Sequence, residues 1–221
     1  MKILIFLISA ISLQAALAWD YKNPGDWVNE SEVCGKGLKQ SPIELVPSMF
    51  GRVPKIYFNY LPTNFLKIND HGNLKFWAQE SNTIEFEGTE YKLEEFHFHV
   101  PAEHKLRGKT YPMEVHFVNK SKDGKAVAIG VFFQLGKTNK NIEKLLKTLR
   151  QNPYSLIPSD KFSYRYDGSL TTPPCSEGLK WVVLRKPITI SPEQLKKFRF
   201  RDGPTNRAIH PRNGRRVLRG Y

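Results

Sequence analysis

Along much of this chain hydrophobic and polar residues fall in short runs bounded by turn residues, the pattern of strands in a sheet with a buried face. Residues 55–60, 65–69, 74–78 and 83–87 read as such strands. Gly88 turns the chain into a strand over 91–100, which Pro101 ends because proline cannot donate to a sheet ladder. Further strands are expected at 113–119, 127–135 and 181–184, the first two joined through Asp123-Gly124, a hairpin-type turn signal. The helical period appears only twice. Ile142, Leu145, Leu146 and Leu149 recur at i, i+3, i+4 and i+7, which predicts an amphipathic helix over 141–150. Ser191, Pro192 and Gln194 predict a second, short helix opened by a capping box. Residues 19–39 are polar and carry turn signals at Asn23-Pro24-Gly25 and Gly35-Lys36-Gly37, so they are expected to lie as an irregular arm over the body.

Composition agrees with a mainly β, α+β fold. The chain has 221 residues, 40% hydrophobic and 25% charged, with 15 Gly, 15 Pro, 14 Phe and 9 Tyr. That is enough apolar material for one real core, and it excludes a disordered, collagen-like or repeat protein. The first eighteen residues carry Lys2, then a mostly apolar run closing in Ala16-Leu17-Ala18, the form of a secretory signal with a small-residue cleavage site. The run is too short and too interrupted for a membrane span, which needs about 20 apolar residues. The expected organisation is a signal peptide over 1–18 and a single domain over 19–221. The product would be exported, to the periplasm or beyond.

Export changes how the charge and the cysteines read. The net charge is +13, and nine basic residues lie from Lys196 onward: Lys196, Lys197, Arg199, Arg201, Arg207, Arg212, Arg215, Arg216 and Arg219, opposed only by Asp202. No nucleic-acid motif accompanies them and an exported chain does not meet nucleic acid, so nucleic acid is not an expected partner. Two readings stay open, a solvated basic face and electrostatic contact with an anionic surface. Cys34 and Cys175 are an even pair in an oxidising compartment, which favours one disulfide over two buried free thiols.

The candidate chemistry lies in the histidines. In the strand over 91–100, His97 and His99 point to one face while Phe96, Phe98 and Val100 point to the other. In the next strand Glu114, His116 and Val118 share a face opposite Val115 and Phe117. Antiparallel pairing in suitable register would bring His116 to His97 and His99. Three neutral imidazoles on rigid strands, with a fourth tetrahedral position open, make a catalytic rather than a structural zinc site. Glu95 and Glu114 each lie two residues before a candidate ligand and on its face, where a carboxylate can accept the other ring N–H.

At these residues the sequence resembles the α-class carbonic anhydrases, in particular exported, signal-bearing, bacterial-type members. The resemblance is carried by Gln40-Ser41-Pro42-Ile43, Phe96-His97-Phe98-His99, Ala102-Glu103-His104, Glu114-Val115-His116 and the run from Tyr166 through Thr171-Thr172-Pro173-Pro174-Cys175. It implies a large twisted, mostly antiparallel central sheet with a few short peripheral helices and a conical cleft with zinc at its base. It implies reversible hydration of carbon dioxide to bicarbonate by zinc-bound hydroxide. His97, His99 and His116 would be the ligands, with Glu95 and Glu114 behind His97 and His116. Thr171 would orient the nucleophile and donate to Glu103. Val118, Leu170, Thr172 and Trp181 would line the substrate site, and Cys34 and Cys175 match the disulfide of exported members. Anionic or sulfonamide-type inhibitors would bind at the zinc, and a homodimer is compatible with the family.

The chain departs from the family at the proton shuttle. Many members carry a histidine after Asn-Gly, whereas this chain reads Asn69-Asp70-His71-Gly72-Asn73. Alignment on Gly72 puts Asn73 at the shuttle position, and a one-residue gap puts His71 there. With Asn73 there, proton export should be slower and depend on buffer. Two smaller departures are Ala128, where a larger residue often floors the pocket, and Glu95, where an amide is common.

Overall fold

A computed structural model describes residues 19–51, 53–199 and 203–221. The segment read as a signal peptide, and Arg201 and Asp202 of the basic tail, lie outside the described residues. Among the described residues no helix is long and apolar enough to cross a membrane.

One twelve-stranded sheet runs through the molecule. From one edge its order is Met49–Phe50, Leu218–Gly220, Ser163–Ser169, Glu177–Ile190, Ala126–Leu135, Met113–Lys120, Thr89–His99, Asn73–Ala78, Thr63–Asp70 and Arg150–Gln151. Ile56–Asn59 joins through Thr83–Phe86 to the first half of Thr89–His99. The pairings are antiparallel except two, one of which joins the long strands Ala126–Leu135 and Glu177–Ile190 near the middle of the sheet. The expected strands are all present, and two differences have a physical reason. Glu177–Ile190 is far longer than 181–184, because a register shift between Val131 and Phe133 leaves 185–187 out of the ladder, which accommodates Pro187, and pairing resumes at Ile188. Ser163–Ser169 carries no clean alternation, since Ser163 and Arg165 are buried beside Tyr164 and Tyr166, and Asp167-Gly168 reads as a turn.

The two helices form where predicted. In Lys140–Thr148 the Asn139 side chain accepts from the amides of Asn141 and Ile142, and Leu149 ends the helix in a left-handed conformation. Pro192–Lys196 opens with both bonds of the Ser191–Gln194 capping box. The arm contains two short helices, Trp27–Glu30 and Glu32–Lys36.

The alternation along the central strands is realised on the two faces of the sheet. Phe96, Phe98, Val115 and Phe117 pack with Phe76, Phe133, Ile142 and Leu145 in the larger core under the helix. On the other face Ala128, Phe132, Tyr166, Trp181 and Val183 form a second core. The histidines rise from this second face, against a rigid apolar backing.

Cys34 and Cys175 are bonded to each other, across 141 residues of sequence. They pack with Trp27 and fasten the arm to the turn that follows Thr171. Closing so long a loop restricts the unfolded chain, so the double Ser variant is expected to lose about 4 to 5 kcal/mol of unfolding free energy in the chain-entropy picture. Denaturant titration of the oxidised protein and the variant checks this, and equal midpoints would contradict it.

Candidate active site

His97 stands directly opposite His116 in the antiparallel register of Thr89–His99 and Met113–Lys120, and His99 follows two residues on. Ligand atoms of the three rings lie within 4.8 Å of one another. His99 and His116 are fully buried, and burial pushes His99 well below its usual pKa and His116 down to about 4. Both are therefore neutral imidazoles at physiological pH, with a lone pair free for a metal.

The groups behind each ring fix its orientation. His97 Nδ1 donates to Glu95, whose two carboxylate oxygens lie at 3.0 and 2.9 Å. His99 Nδ1 donates to the backbone carbonyl of Thr205, leaving the buried Nε2 without a partner. His116 Nε2 lies 3.1 Å from Glu114 Oε1, close but poorly aligned for a hydrogen bond. Glu114 is itself pinned by the amides of Glu103 and His104, at 3.0 and 2.9 Å, and by His104 Nδ1 at 2.8 Å. Burial opposes the charge on Glu114, but His104 and His116 hold it well below the usual carboxylate range.

Glu103 is buried among these rings. Its Oε1 accepts from the Arg207 amide at 2.8 Å, and its Oε2 lies 3.5 Å from His99 Nε2 and 3.8 Å from His116 Nδ1. Burial raises its pKa well above normal, against the opposing effects of the Arg207 amide and the nearby Thr171 hydroxyl. Oε2 has no partner at full hydrogen-bond geometry among the described residues. Unpaired polar atoms on His99 and Glu103, buried and converging, are costly unless something fills the space between them. Three imidazoles facing one point fit a zinc ion with the fourth tetrahedral position left open beside Glu103.

A cavity of about 240 Å³ opens from His97 and His116. Val118, Leu170, Trp181 and Ala128 line it, as do Thr171 and Thr172. Asp70, Asn73 and Lys75 also line it. His71 does not. It is exposed, stacks on Trp19 at 4.0 Å between ring centroids, and lines a neighbouring hollow with Tyr21 and Thr205. Asn73 is buried, with its side-chain amide donating to the Tyr21 hydroxyl at 2.6 Å.

Several residues that hold the site have no role assigned to them by the sequence, although most lie in segments that carry the family resemblance. His104 Nε2 lies 2.6 Å from the Tyr166 hydroxyl, which in turn donates to Ser41 Oγ, so the support behind His116 runs to the far side of the core. Gly130 faces His116 across the sheet, and a Cβ there would come within 2.8 Å of Glu114 Oε1. Gly168 similarly leaves room for Ser41, Tyr166 and Trp181. Two arginines of the basic tail point inward. Arg207 donates to Gln40 Oε1 and to the carbonyls of Ser41 and Cys34, and Arg215 donates to the carbonyls of Arg212, Asp167 and Pro211.

The lowered pKa values of His99 and His116 carry a pH dependence. The unfolded chain takes up protons at these rings near pH 6.5, and the folded metal-free chain does not until about 4 at His116. Their contribution to stability is thus complete above 6.5 and is lost as pH falls towards 4. The melting temperature of the chelator-treated protein should fall steadily over that window, and a flat profile would contradict the assignment.

A family model of eukaryotic-type carbonic anhydrases matches residues 22–219. A carbonic anhydrase of Neisseria gonorrhoeae is 34% identical over 219 residues, covering 90% of this chain and 87% of the relative. Among solved structures, a hyperthermostable carbonic anhydrase from a hydrothermal vent chimney matches with a TM-score of 0.88 at 38% identity, over 92% of this chain and 100% of that one. The α-carbonic anhydrase of Thermovibrio ammonificans, solved with the inhibitor sulfanilamide, matches with a TM-score of 0.84 at 35% identity, over 90% and 98%. By the family match, the extent of these likenesses and the fold they share, the chain belongs to the α-class carbonic anhydrases.

Proposed function

We propose that the chain catalyses zinc-dependent, reversible hydration of carbon dioxide, with His97, His99 and His116 holding the metal and Thr171 and Glu103 orienting the attacking oxygen. The observation that carries this reading is the convergence of His97, His99 and His116, with buried Glu103 beside them, at a partly apolar cavity. When bound there, zinc supplies Lewis acidity that brings a water's ionisation to near-neutral pH, a property for which carbonic anhydrases are themselves the standard example.

The remaining steps belong to the chain's own residues. Glu103, fixed by the Arg207 amide, accepts a hydrogen bond from the Thr171 hydroxyl, which keeps its proton, so the Thr171 oxygen can act only as an acceptor towards the nucleophile. That fixes one proton and turns a lone pair of the attacking oxygen towards the substrate. Val118, Leu170 and Trp181 offer carbon dioxide an apolar surface that makes no competing hydrogen bonds. Thr172 lies at the edge of the same surface. Glu95 and Glu114 raise the electron density of His97 and His116 as ligands and hold their rings in place. Sulfonamides and small anions would compete at the metal, and export would place the enzyme in the periplasm or outside the cell.

Proton release completes the cycle. Asn73 lines the cavity but does not titrate at its amide. Asp70 lines the cavity and places Oδ1 2.8 Å from His71 Nδ1, which puts His71 one carboxylate away from the site. His71 acts as the outer proton acceptor in this reading. His71→Ala is expected to lower turnover several-fold in dilute buffer, with recovery in concentrated imidazole buffer. Turnover that is buffer-limited to the same degree in both proteins would remove His71 from the path. Metal analysis together with isotope exchange between carbon dioxide and water tests the whole reading: one zinc per chain and rapid exchange support it, and a folded, zinc-loaded chain without exchange would overturn it.

A further inference from the structure

A second hollow, of about 380 Å³, lies towards the sheet edge that ends in Met49–Phe50, and Trp181 lines both it and the active-site cavity. It is strongly basic. Lys39, Arg165, Lys180 and Arg216 face Glu87 and Asp167, and Asp167 is already paired with Lys180 at 2.8 Å. Arg215 also lines the hollow, with its guanidinium held by backbone carbonyls.

Arg165 is the unexplained member. Its side chain rises from the middle of Ser163–Ser169 and is only 9% exposed. Nε donates to Ser163 Oγ at 3.1 Å, and the guanidinium lies 5.5 Å from the centroid of the Phe86 ring. Nη1 is buried and has no acceptor among the described residues, nor does any carboxylate among them reach ion-pair distance. A buried cation with an unmet N–H is destabilising, and an apolar side chain would fill the same space at less cost. Burial lowers its pKa only to about 10, so it stays charged at neutral pH. A planar guanidinium in a basic, partly apolar hollow matches an oxyanion with two accepting oxygens.

We propose that this hollow binds a small oxyanion of the phosphate class, with Arg165 at its base and Lys180 and Arg216 at its rim. Free phosphate and the phosphate of a lipid headgroup share this chemistry. The test is titration of inorganic phosphate into the zinc-loaded full chain, followed by backbone amide NMR. Shifts should centre on Arg165, Asp167 and Lys180, and affinity should fall about tenfold in Arg165→Gln and measurably in the surface variant Arg216→Ala. Carbon dioxide hydration should be unchanged in both variants. Co-sedimentation with phosphatidylglycerol vesicles that is displaced by phosphate assigns the lipid headgroup, and phosphate binding without co-sedimentation assigns the free ion. No shifts at the hollow, shifts confined to the histidine cavity, or affinity unaltered in Arg216→Ala and in a folded Arg165→Gln would overturn the proposal.

Discussion

Replacement of His116 by Ala is expected to remove bound zinc and with it essentially all carbon dioxide hydration, while the sheet stays folded. His116 offers one of three ligand nitrogens within 4.8 Å of one another, and the other two sit on a single strand, while the neighbouring His104 is already engaged at both ring nitrogens, by Glu114 and Tyr166. Two ligands hold zinc far more weakly than three, and without the metal nothing in the cavity can ionise a water near neutral pH. Val115 and Phe117, on the opposite face, keep their core contacts. Loss of the buried ring and of its contact with Glu114 should cost about 2 to 4 kcal/mol, which lowers the melting temperature without unfolding the chain. Zinc analysis, circular dichroism and stopped-flow hydration of the same sample check all three parts. One tightly held zinc per chain with near-normal turnover would refute His116 as a ligand.

Thr171→Ala is expected to lower kcat/KM by about a hundredfold while leaving the zinc content at one per chain, because it removes a positioning hydrogen bond and no ligand. Glu103→Gln should act in the same direction. The pair should be strongly non-additive, since Glu103 works through the Thr171 hydroxyl. Thr171→Ser, which retains the hydroxyl, should recover most of the rate. A Thr171→Ala enzyme with full kcat/KM would show that the attacking oxygen needs no such orientation.

Much of this site was legible from residue order alone. Alternation in the strand over 91–100 put His97 and His99 on one face and the phenylalanines on the other, and the structure realises that division as a metal-sized cluster above an aromatic core. Antiparallel pairing with the next long strand, Met113–Lys120, then brings in His116. What sequence could not give depends on contacts between distant segments. Glu103 faces His99 because the loop after Pro101 turns back beneath the Arg207 amide, 104 residues further on. Gly130 is needed only because Glu114 lies across the sheet from it. Arg207 and Arg215 look like parts of a charged tail in sequence, and their burial follows from carbonyls contributed by Cys34, Ser41 and Asp167. The strand Ser163–Ser169 escapes a periodicity search because both of its faces are buried.

The shuttle region illustrates the same limit at close range. A one-residue gap in the loop moves either His71 or Asn73 into register with the family, and local sequence contains nothing that chooses between them. The fold puts Asn73 on the cavity wall and His71 on the far side of Asp70.

Zinc-dependent catalysis is tested by stopped-flow hydration of carbon dioxide by the chain from Trp19 onward, measured zinc-loaded, after removal of the metal with a chelator, and after zinc is restored. Fast turnover should disappear with the metal and return in proportion to zinc, up to one ion per chain. Turnover that survives complete metal removal, or a folded chain with one zinc at His97, His99 and His116 and no turnover, would contradict it.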